Sequence, residues 1–538
     1  QWPVFVFDRP EVQYPEQLNC VQALLDDHVA QGHGDCMAVR GQDATGPMGW
    51  TYAQLQSKVN QIAHVLVHDM GLKSGERLLL RGGNSPMMAA CFLAALKAGL
   101  VVVPTMPLLR AAELRQIIVK AQVKAALCDS LLAEELAHCT GSSHAHFATS
   151  LGQVLLFRST DDEGIEARMA KHAKEFEACD TSRDDVCLIA FTSGTTGQPK
   201  GTMHFHRDVL AMCDLFPKHV LKMGADDVVC GTPPIAFTFG LGGMLAFPLR
   251  YGACAVLLEK YTPESLLLAI GQYGATQCYT APTMYRQMAL LVSEKPYAFE
   301  LKSLRHTVSA GEALPDATRQ LWKQATGIEM TDGIGGTEVI HIYISSAGQE
   351  VRAGSIGKVV PGYQAQIVDD DMKSVPPGVV GRLAVRGPTG CRYLDDPRQK
   401  DYVKDGWNLP GDTFVMDADG YFSYQARNDD MIISAGYNIA GPEVEGALMQ
   451  HPAVAECGVV GAADPERGQV VMAFVVLKTG YAGTPALEKE IQEFVKQSIA
   501  PFKYPRRVVF CESLPRTETG KLQRFKLRQQ ALAFNSEK

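Results

Sequence analysis

Val186-Cys187-Leu188-Ile189-Ala190-Phe191, followed by Thr192-Ser193-Gly194-Thr195-Thr196-Gly197-Gln198-Pro199-Lys200-Gly201, is the stretch whose reading decides the fold. The apolar run predicts a buried strand. The loop after it combines glycines, hydroxyls and one lysine. Glycine lets backbone N–H groups approach an anion, Ser and Thr hydroxyls donate hydrogen bonds, and lysine adds a compact positive charge. A strand ending in such a loop suits phosphate. It is not the GxxxxGK[ST] loop of P-loop enzymes. The last loop glycine, Gly197, stands three residues before Lys200, and Gly201 follows the lysine. That spacing weighs against a P-loop ATPase or kinase.

On the N-terminal side, helix and strand signals alternate. Thr51 and Gln54 form a capping box ahead of Leu55, Val59, Ile62 and Leu66 at helical spacing, and Gly71 stops that helix. Arg77–Leu80 reads as a short strand, Ser85–Ala98 as a helix closed by Gly99, and Leu100–Val103 as a strand ended by Pro104. This alternation predicts α/β layers with largely parallel strands. The charged segment Asp161–Asp185 reads as a solvated helix and loop. Near Asp429 the pattern changes. A helix over Glu443–Met449, strands at Val454–Val460 and Val470–Leu477, a helix opened by Thr484 and Pro485 with Leu487, Ile491, Val495 and Ile499 inward, and a strand at Arg507–Cys511 predict a separate small α+β domain. The expected division is a large domain over residues 1–428 and a small one over 429–538.

Composition narrows the classes. The 538 residues are 46% hydrophobic and 20% charged, as in a globular protein. A formal charge of −8 argues against a general nucleic-acid binder. None of the 14 cysteines forms a CxxC pair or a zinc-spaced cluster, which predicts free thiols in a reducing compartment, the cytoplasm. The longest apolar stretch, Met87–Val103, is broken by Lys97 and Gly99 and falls short of the roughly 20 residues a membrane helix needs. The opening QWPVFVFDRP carries no signal-peptide pattern.

The loop resembles the phosphate-binding signature of the adenylate-forming superfamily, which contains acyl- and aryl-CoA synthetases, adenylation domains of peptide synthetases and firefly luciferases. Further motifs follow in the family's order across nearly the whole chain. The resemblance implies a large N-terminal domain of layered α/β subdomains with a small, mobile α+β C-terminal domain. It assigns Thr192, Ser193, Gly194, Thr195, Thr196 and Lys200 to the phosphates. SAGEA (Ser309–Ala313) places Gly311, Glu312 and Ala313 against adenine, and TDGIGGTE (Thr331–Glu338) adds Asp332, Gly333, Ile334 and Thr337 to the nucleotide site. Glu338 takes the family's Mg²⁺ position, where one carboxylate suffices beside water and phosphate oxygens. LPGD (Leu409–Asp412) is similar to the family's TGD signature, with Leu409-Pro410 in place of its usual preceding residues, so Asp412 grips the ribose. Arg427 also reaches the ribose, with Ala426 where the family has glycine. LPRTETGKLQR (Leu514–Arg524) maps the catalytic lysine to Lys521, Asp429 maps to the hinge, and Gly436 to the thiol tunnel.

The implied reaction is acid activation by ATP. A carboxylate attacks the α-phosphorus, pyrophosphate leaves, and a thiol then displaces AMP from the acyl-adenylate. Two anions meeting in line require a cation between them, the role of Lys521. The implied cofactors are ATP, Mg²⁺ and coenzyme A.

The acid pocket draws on PPIAFTFGLGG (Pro233–Gly243). Many family members carry histidine where Phe237 stands, and benzoate-type ligases carry an aromatic. DGIGGTEVIHIYIS resembles benzoate-CoA ligases, and ISAGYNIAGPEVE (Ile433–Glu445) resembles 2-aminobenzoate-CoA ligases. Phe237, Gly335 and His341 are the pocket candidates, with Gly311, Gly333 and Ile334 completing a slot for a planar ring. The partners expected are a small aromatic carboxylic acid and coenzyme A, with neither nucleic acid nor membrane, and the oligomeric state stays open between monomer and homodimer. Short- or medium-chain fatty acids, a carrier protein as acceptor, a luciferase-like oxidase and a non-catalytic nucleotide sensor remain as alternatives.

Overall fold

The computed structural model describes the chain except residues 44–45, 141–149, 194–198, 312–313, 315, 428–430, 516–521, 523 and 537–538. For residues 43, 140, 193, 317, 425–427, 431, 438, 440, 442, 525 and 534–536 it describes the backbone alone. Gly194, Thr195, Thr196, Glu312, Ala313, Asp429 and Lys521 thus lie outside the described residues, as do the side chains of Ser193 and Arg427.

The fold is mixed α/β, with a large N-terminal and a small C-terminal domain. Two compact units divide the chain. The larger holds Gln1–Pro107, Ile117–Phe191 and Gly201–Ala426; the smaller holds Leu108–Gln116, Thr192–Lys200 and Arg427–Lys538.

Among the described residues the larger unit contains three sheets. One runs in the order Gln153–Phe157, Ala125–Asp129, Arg77–Arg81, Val101–Thr105, Val186–Ser193, Pro199–Phe205. Its parallel core includes the expected strand before the phosphate loop, with Leu188 opposite Val102. The second runs from Lys358–Val359 through Ile342–Ser345, Met330–Gly335, His306–Ser309, Gln277–Thr280, Val228–Gly231, Cys254–Val256 and Met37–Asp43 to Gly46–Thr51. Its middle is parallel and both edges are antiparallel. The third, built from strands within residues 364–427, includes Gly381–Arg386 and Asp412–Met416 paired antiparallel. No periodicity in the sequence reading announced this antiparallel layer.

Local chemistry explains the helix starts. Thr51 and Gln54 form the reciprocal capping box, with Gln54 N to Thr51 Oγ1 at 3.3 Å and Thr51 N to Gln54 Oε1 at 2.9 Å. Ser85 caps Pro86–Lys97, and Gly99 leaves it at φ 76°. That helix is buried on every face except at Met87, as a helix inside a core must be. Its lysine is no solvent anchor: Lys97 Nζ is buried against Asp26 Oδ1 (2.8 Å) and Asn60 Oδ1 (2.6 Å). The charged segment Asp161–Asp185 is less solvated than expected. Ile165 and Met169 join the core, and the carbonyls of His172 and Lys174 accept from Gln61 and Asn60.

In the smaller unit Gly468–Leu477 carries two cores by strand alternation. Val471, Ala473 and Val475 pack with Leu487, Ile491, Val495 and Ile499 of the expected helix. Val470, Met472 and Phe474 pack with Leu527 and Ala531 of Arg524–Ser536, a helix the sequence reading left out. It also left out the hairpin Met431–Ser434/Tyr437–Ala440. Among the described residues no helix is long and apolar enough to cross a membrane.

Candidate active site

The carboxyl ends of the parallel strands Gln277–Thr280, His306–Ser309 and Met330–Gly335 carry one polar row. Thr280 pairs with Ser309 and Ser309 with Asp332. Such strand ends are where open α/β sheets bind ligands. Ser309 Oγ is buried without a hydrogen-bond partner among the described residues. Burial pushes the Asp332 carboxyl up to about 8, opposed by the Gly333 amide, which donates to Oδ1 at 2.9 Å. Gly311 follows the middle strand at φ 94°, a left-handed conformation that suits glycine.

Past Gly335 the chain makes a tight turn, Thr337–Val339, that presents Glu338. The hydroxyl of Tyr393 donates to Glu338 Oε1 at 2.7 Å. Burial, followed by the Glu338 charge, raises the Tyr393 hydroxyl far above its ordinary value, so it stays protonated and donates. Tyr402 packs edge-on against Tyr393, ring centroids 5.8 Å apart. Its buried hydroxyl is raised by desolvation and by the charges of Glu338 and, more weakly, Asp412. The Tyr402 hydroxyl and Glu338 Oε2 both lie beside Gly336, 3.9 and 3.5 Å from where its Cβ would stand.

These residues fit a metal held by one protein carboxylate. Among the described residues no cluster of three or more His, Cys, Asp or Glu side chains has the geometry to hold an ion alone. Glu338 is half-buried, and beside its Oε2 stands Gly336, where an added Cβ would lie 3.5 Å away. The remaining ligands would be water and phosphate oxygens.

His341 is buried in an aromatic shell. Phe247, Phe239 and Phe216 surround its ring at 4.5, 5.7 and 5.8 Å between centroids. Nε2 donates to the Phe239 carbonyl at 3.2 Å, and Nδ1 has no partner among the described residues. Desolvation pushes the imidazole down to about 3, so it is neutral at physiological pH. Glycines permit this packing: a Cβ on Gly242 of PPIAFTFGLGG would lie 2.4 Å from His341 Cδ2, and one on Gly335 of TDGIGGTE would lie 2.5 Å from the His341 carbonyl oxygen. Phe237 is half-buried at the entrance to the short helix Thr238–Leu241 and is not among the rings packed on His341. The sequence reading missed Phe216, Phe247, Tyr393 and Tyr402, since no spacing distinguishes a shell aromatic from a core one.

In the smaller unit the described part of the phosphate loop is its rim. Thr192 Oγ1 is buried without a partner among the described residues, and Lys200 is half-exposed. Gly436, at φ 82°, and Ala435, at φ 48°, form the two-residue turn of the hairpin Ser434–Tyr437, as a turn with two left-handed positions requires.

Residues 26–392 match the AMP-binding enzyme family, and residues 443–521 match the AMP-binding enzyme C-terminal domain. The chain belongs to the AMP-binding enzyme family. It is similar to a benzoate–CoA ligase of Thauera aromatica, 34% identical over 96% of this chain and 97% of that protein. It is also similar to the mitochondrial acyl-coenzyme A synthetase ACSM3 of Mus musculus, 33% identical over 96% of this chain and 91% of that one. Among solved structures it resembles the anthranilate CoA ligase AuaEII in complex with anthranoyl-AMP, with a TM-score of 0.73, 31% identity, and coverage of 97% and 99%.

Proposed function

We propose that the chain is an AMP-forming acid–thiol ligase that converts benzoate or a small ortho-substituted benzoate such as 2-aminobenzoate into its CoA thioester. The observation that supports it most is the half-buried Glu338 carboxylate, set at the family's metal position and oriented by the Tyr393 hydroxyl at 2.7 Å. Residues 1–428 act as the acid- and nucleotide-binding domain and 429–538 as the lysine-bearing domain, in the cytoplasm.

In the first step a carboxylate oxygen of the acid bonds to the α-phosphorus of ATP, and the bond to pyrophosphate breaks. Lys521 spans the two anions. Thr192, Ser193, Gly194, Thr195, Thr196 and Lys200 hold the departing phosphates, and Thr337 binds phosphate as well. Glu338 would hold Mg²⁺, which would supply charge neutralisation on the phosphate oxygens. Asp412 and Arg427 hold the ribose, and Gly311, Glu312, Ala313, Asp332, Gly333 and Ile334 hold the base. In the second step the thiol sulfur of coenzyme A attacks the acyl carbon and AMP leaves. Asp429 serves as the hinge for the change between steps, and Gly436 leaves room for the pantetheine arm.

The aromatic acid is favoured by aryl-CoA ligases among the similar proteins and by the aromatic shell around a neutral His341. Phe237 and Gly335 are the further acid-pocket residues of this reading. The mouse relative, an acyl-coenzyme A synthetase, keeps fatty acids as the second reading. Pyrophosphate release measured with benzoate, 2-aminobenzoate, salicylate and hexanoate, followed by AMP formation with CoA, separates them. The expected order places the benzoates first; a clear preference for hexanoate overturns the aryl assignment.

A further inference from the structure

The turn that presents Glu338 is held by side chains that the reaction itself does not use. His204 lies on Pro199–Phe205, four residues past Lys200, and its Nε2 donates to the carbonyl oxygen of Thr337 at 2.7 Å. Its Nδ1 faces Asp208 Oδ2 at 3.3 Å, and both side chains are fully buried. Thr389 Oγ1 donates to the carbonyl of Val339 at 2.8 Å and is itself bonded to the Tyr363 hydroxyl at 2.8 Å. His204 and Tyr393 ride on paired segments: Met203 N donates to Arg392 O at 2.7 Å, and Leu394 N donates to Gly201 O at 2.8 Å.

A short turn needs such anchoring when its backbone is costly. Ile340 closes this one at φ 71° and ψ −41°, a region that β-branched residues avoid. Left alone, that residue relaxes and carries the preceding carboxylate with it. Strained backbone persists where the surroundings over-determine it.

We infer that His204 is a positioning residue: by holding the Thr337 carbonyl it fixes the strained turn that aims Glu338 at the metal–phosphate complex. The inference rests on the reading of Glu338 as the metal ligand. Outer partners of this kind change metal affinity by about 10- to 100-fold.

The test measures Mn²⁺ binding by electron paramagnetic resonance with a non-hydrolysable ATP analogue, alongside binding of the analogue without metal. His204→Leu is expected to weaken Mn²⁺ binding by about 10-fold while metal-free analogue binding changes less than about twofold. His204→Gln, which keeps a donor, is expected to restore most of the loss. Should His204→Leu not fold, Thr389→Val removes the neighbouring anchor at constant shape and is read the same way. Glu338→Gln separates the two claims. If it weakens Mn²⁺ binding but the folded anchor variants do not, the positioning role is overturned. If it leaves Mn²⁺ binding unchanged, the metal assignment falls and the inference falls with it.

Discussion

Tyr393 donates its hydroxyl to Glu338 Oε1 across 2.7 Å, a neutral donor on one oxygen of the carboxylate proposed to bind the metal. A neutral donor orients the carboxylate without cancelling its charge, whereas a lysine would compete with the ion. Tyr393→Phe removes that bond and keeps the ring packed on Tyr402. The expected outcome is an increase of about 10-fold in the Mg²⁺ concentration needed for half-maximal pyrophosphate release, with a melting temperature within a few degrees of the parent. An unchanged Mg²⁺ requirement removes Tyr393 from the site.

Lys521 is the residue on which the two half-reactions are expected to part. Bridging two anions matters for carboxylate attack on ATP but not for thiol attack on a preformed adenylate. Lys521→Ala is expected to reduce adenylation by a factor on the order of 100 or more while leaving thioester formation from supplied acyl-AMP within a few-fold. Equal loss of both rates contradicts the assignment.

The parts of the fold legible in sequence were those with a local physical signature. The run Val186–Phe191 bounded by a glycine loop, the Thr51/Gln54 capping box and the Thr484-Pro485 helix start each carry their reason within a few residues, and each element forms as read. The antiparallel layer over 364–427 was not legible, because its short strands are only partly buried and lack a clean alternation. Nor was the His204–Thr337 bond, which joins residues 133 apart. His341 could not be placed from sequence either. Its surroundings come from a helix at Phe216 and a glycine-rich helical segment at Phe239–Phe247, and only three-dimensional packing makes them one shell.

Asp332 gives a pH signature. Burial raises its carboxyl to about 8, above the roughly 3.9 of an unfolded aspartate. Between those values the folded protein holds a proton that the unfolded chain has released. Stability from this group is therefore fully present below about pH 4 and is lost as pH rises through 8. Asp332→Asn, which cannot ionise, is expected to flatten the fall in unfolding free energy between pH 5 and 8 by up to about 1 kcal/mol per pH unit. Urea unfolding across that range checks it, and parallel profiles for parent and variant contradict the raised carboxyl.

Within the smaller unit, Lys503 Nζ lies 2.6 Å from Glu113 Oε1 and 2.7 Å from Glu443 Oε1, all three buried or nearly so. The backbone N of Ala500 also donates to Glu113 Oε2, at 3.1 Å. Desolvation pushes the Glu443 carboxyl up to about 7, with the pull of Lys503 opposing it and the Glu113 charge adding to it. The folded value again exceeds the unfolded one, so the contribution of Glu443 to stability fades as pH rises through 7. Removing the cation leaves two facing carboxylates in a poorly solvated place, the costly way to break a buried ion pair. Lys503→Met is therefore expected to destabilise the fold by roughly 3 kcal/mol at pH 8 and by less at pH 5, where Glu443 is protonated. Glu443→Gln keeps an acceptor for Lys503 and leaves one carboxylate matched to one ammonium, so its expected cost at pH 8 is below about 1 kcal/mol. Urea titrations of both variants at the two pH values decide the matter. A Lys503→Met penalty that does not grow with pH would show that packing of the lysine stem, and not the charge balance of the triad, sets its contribution.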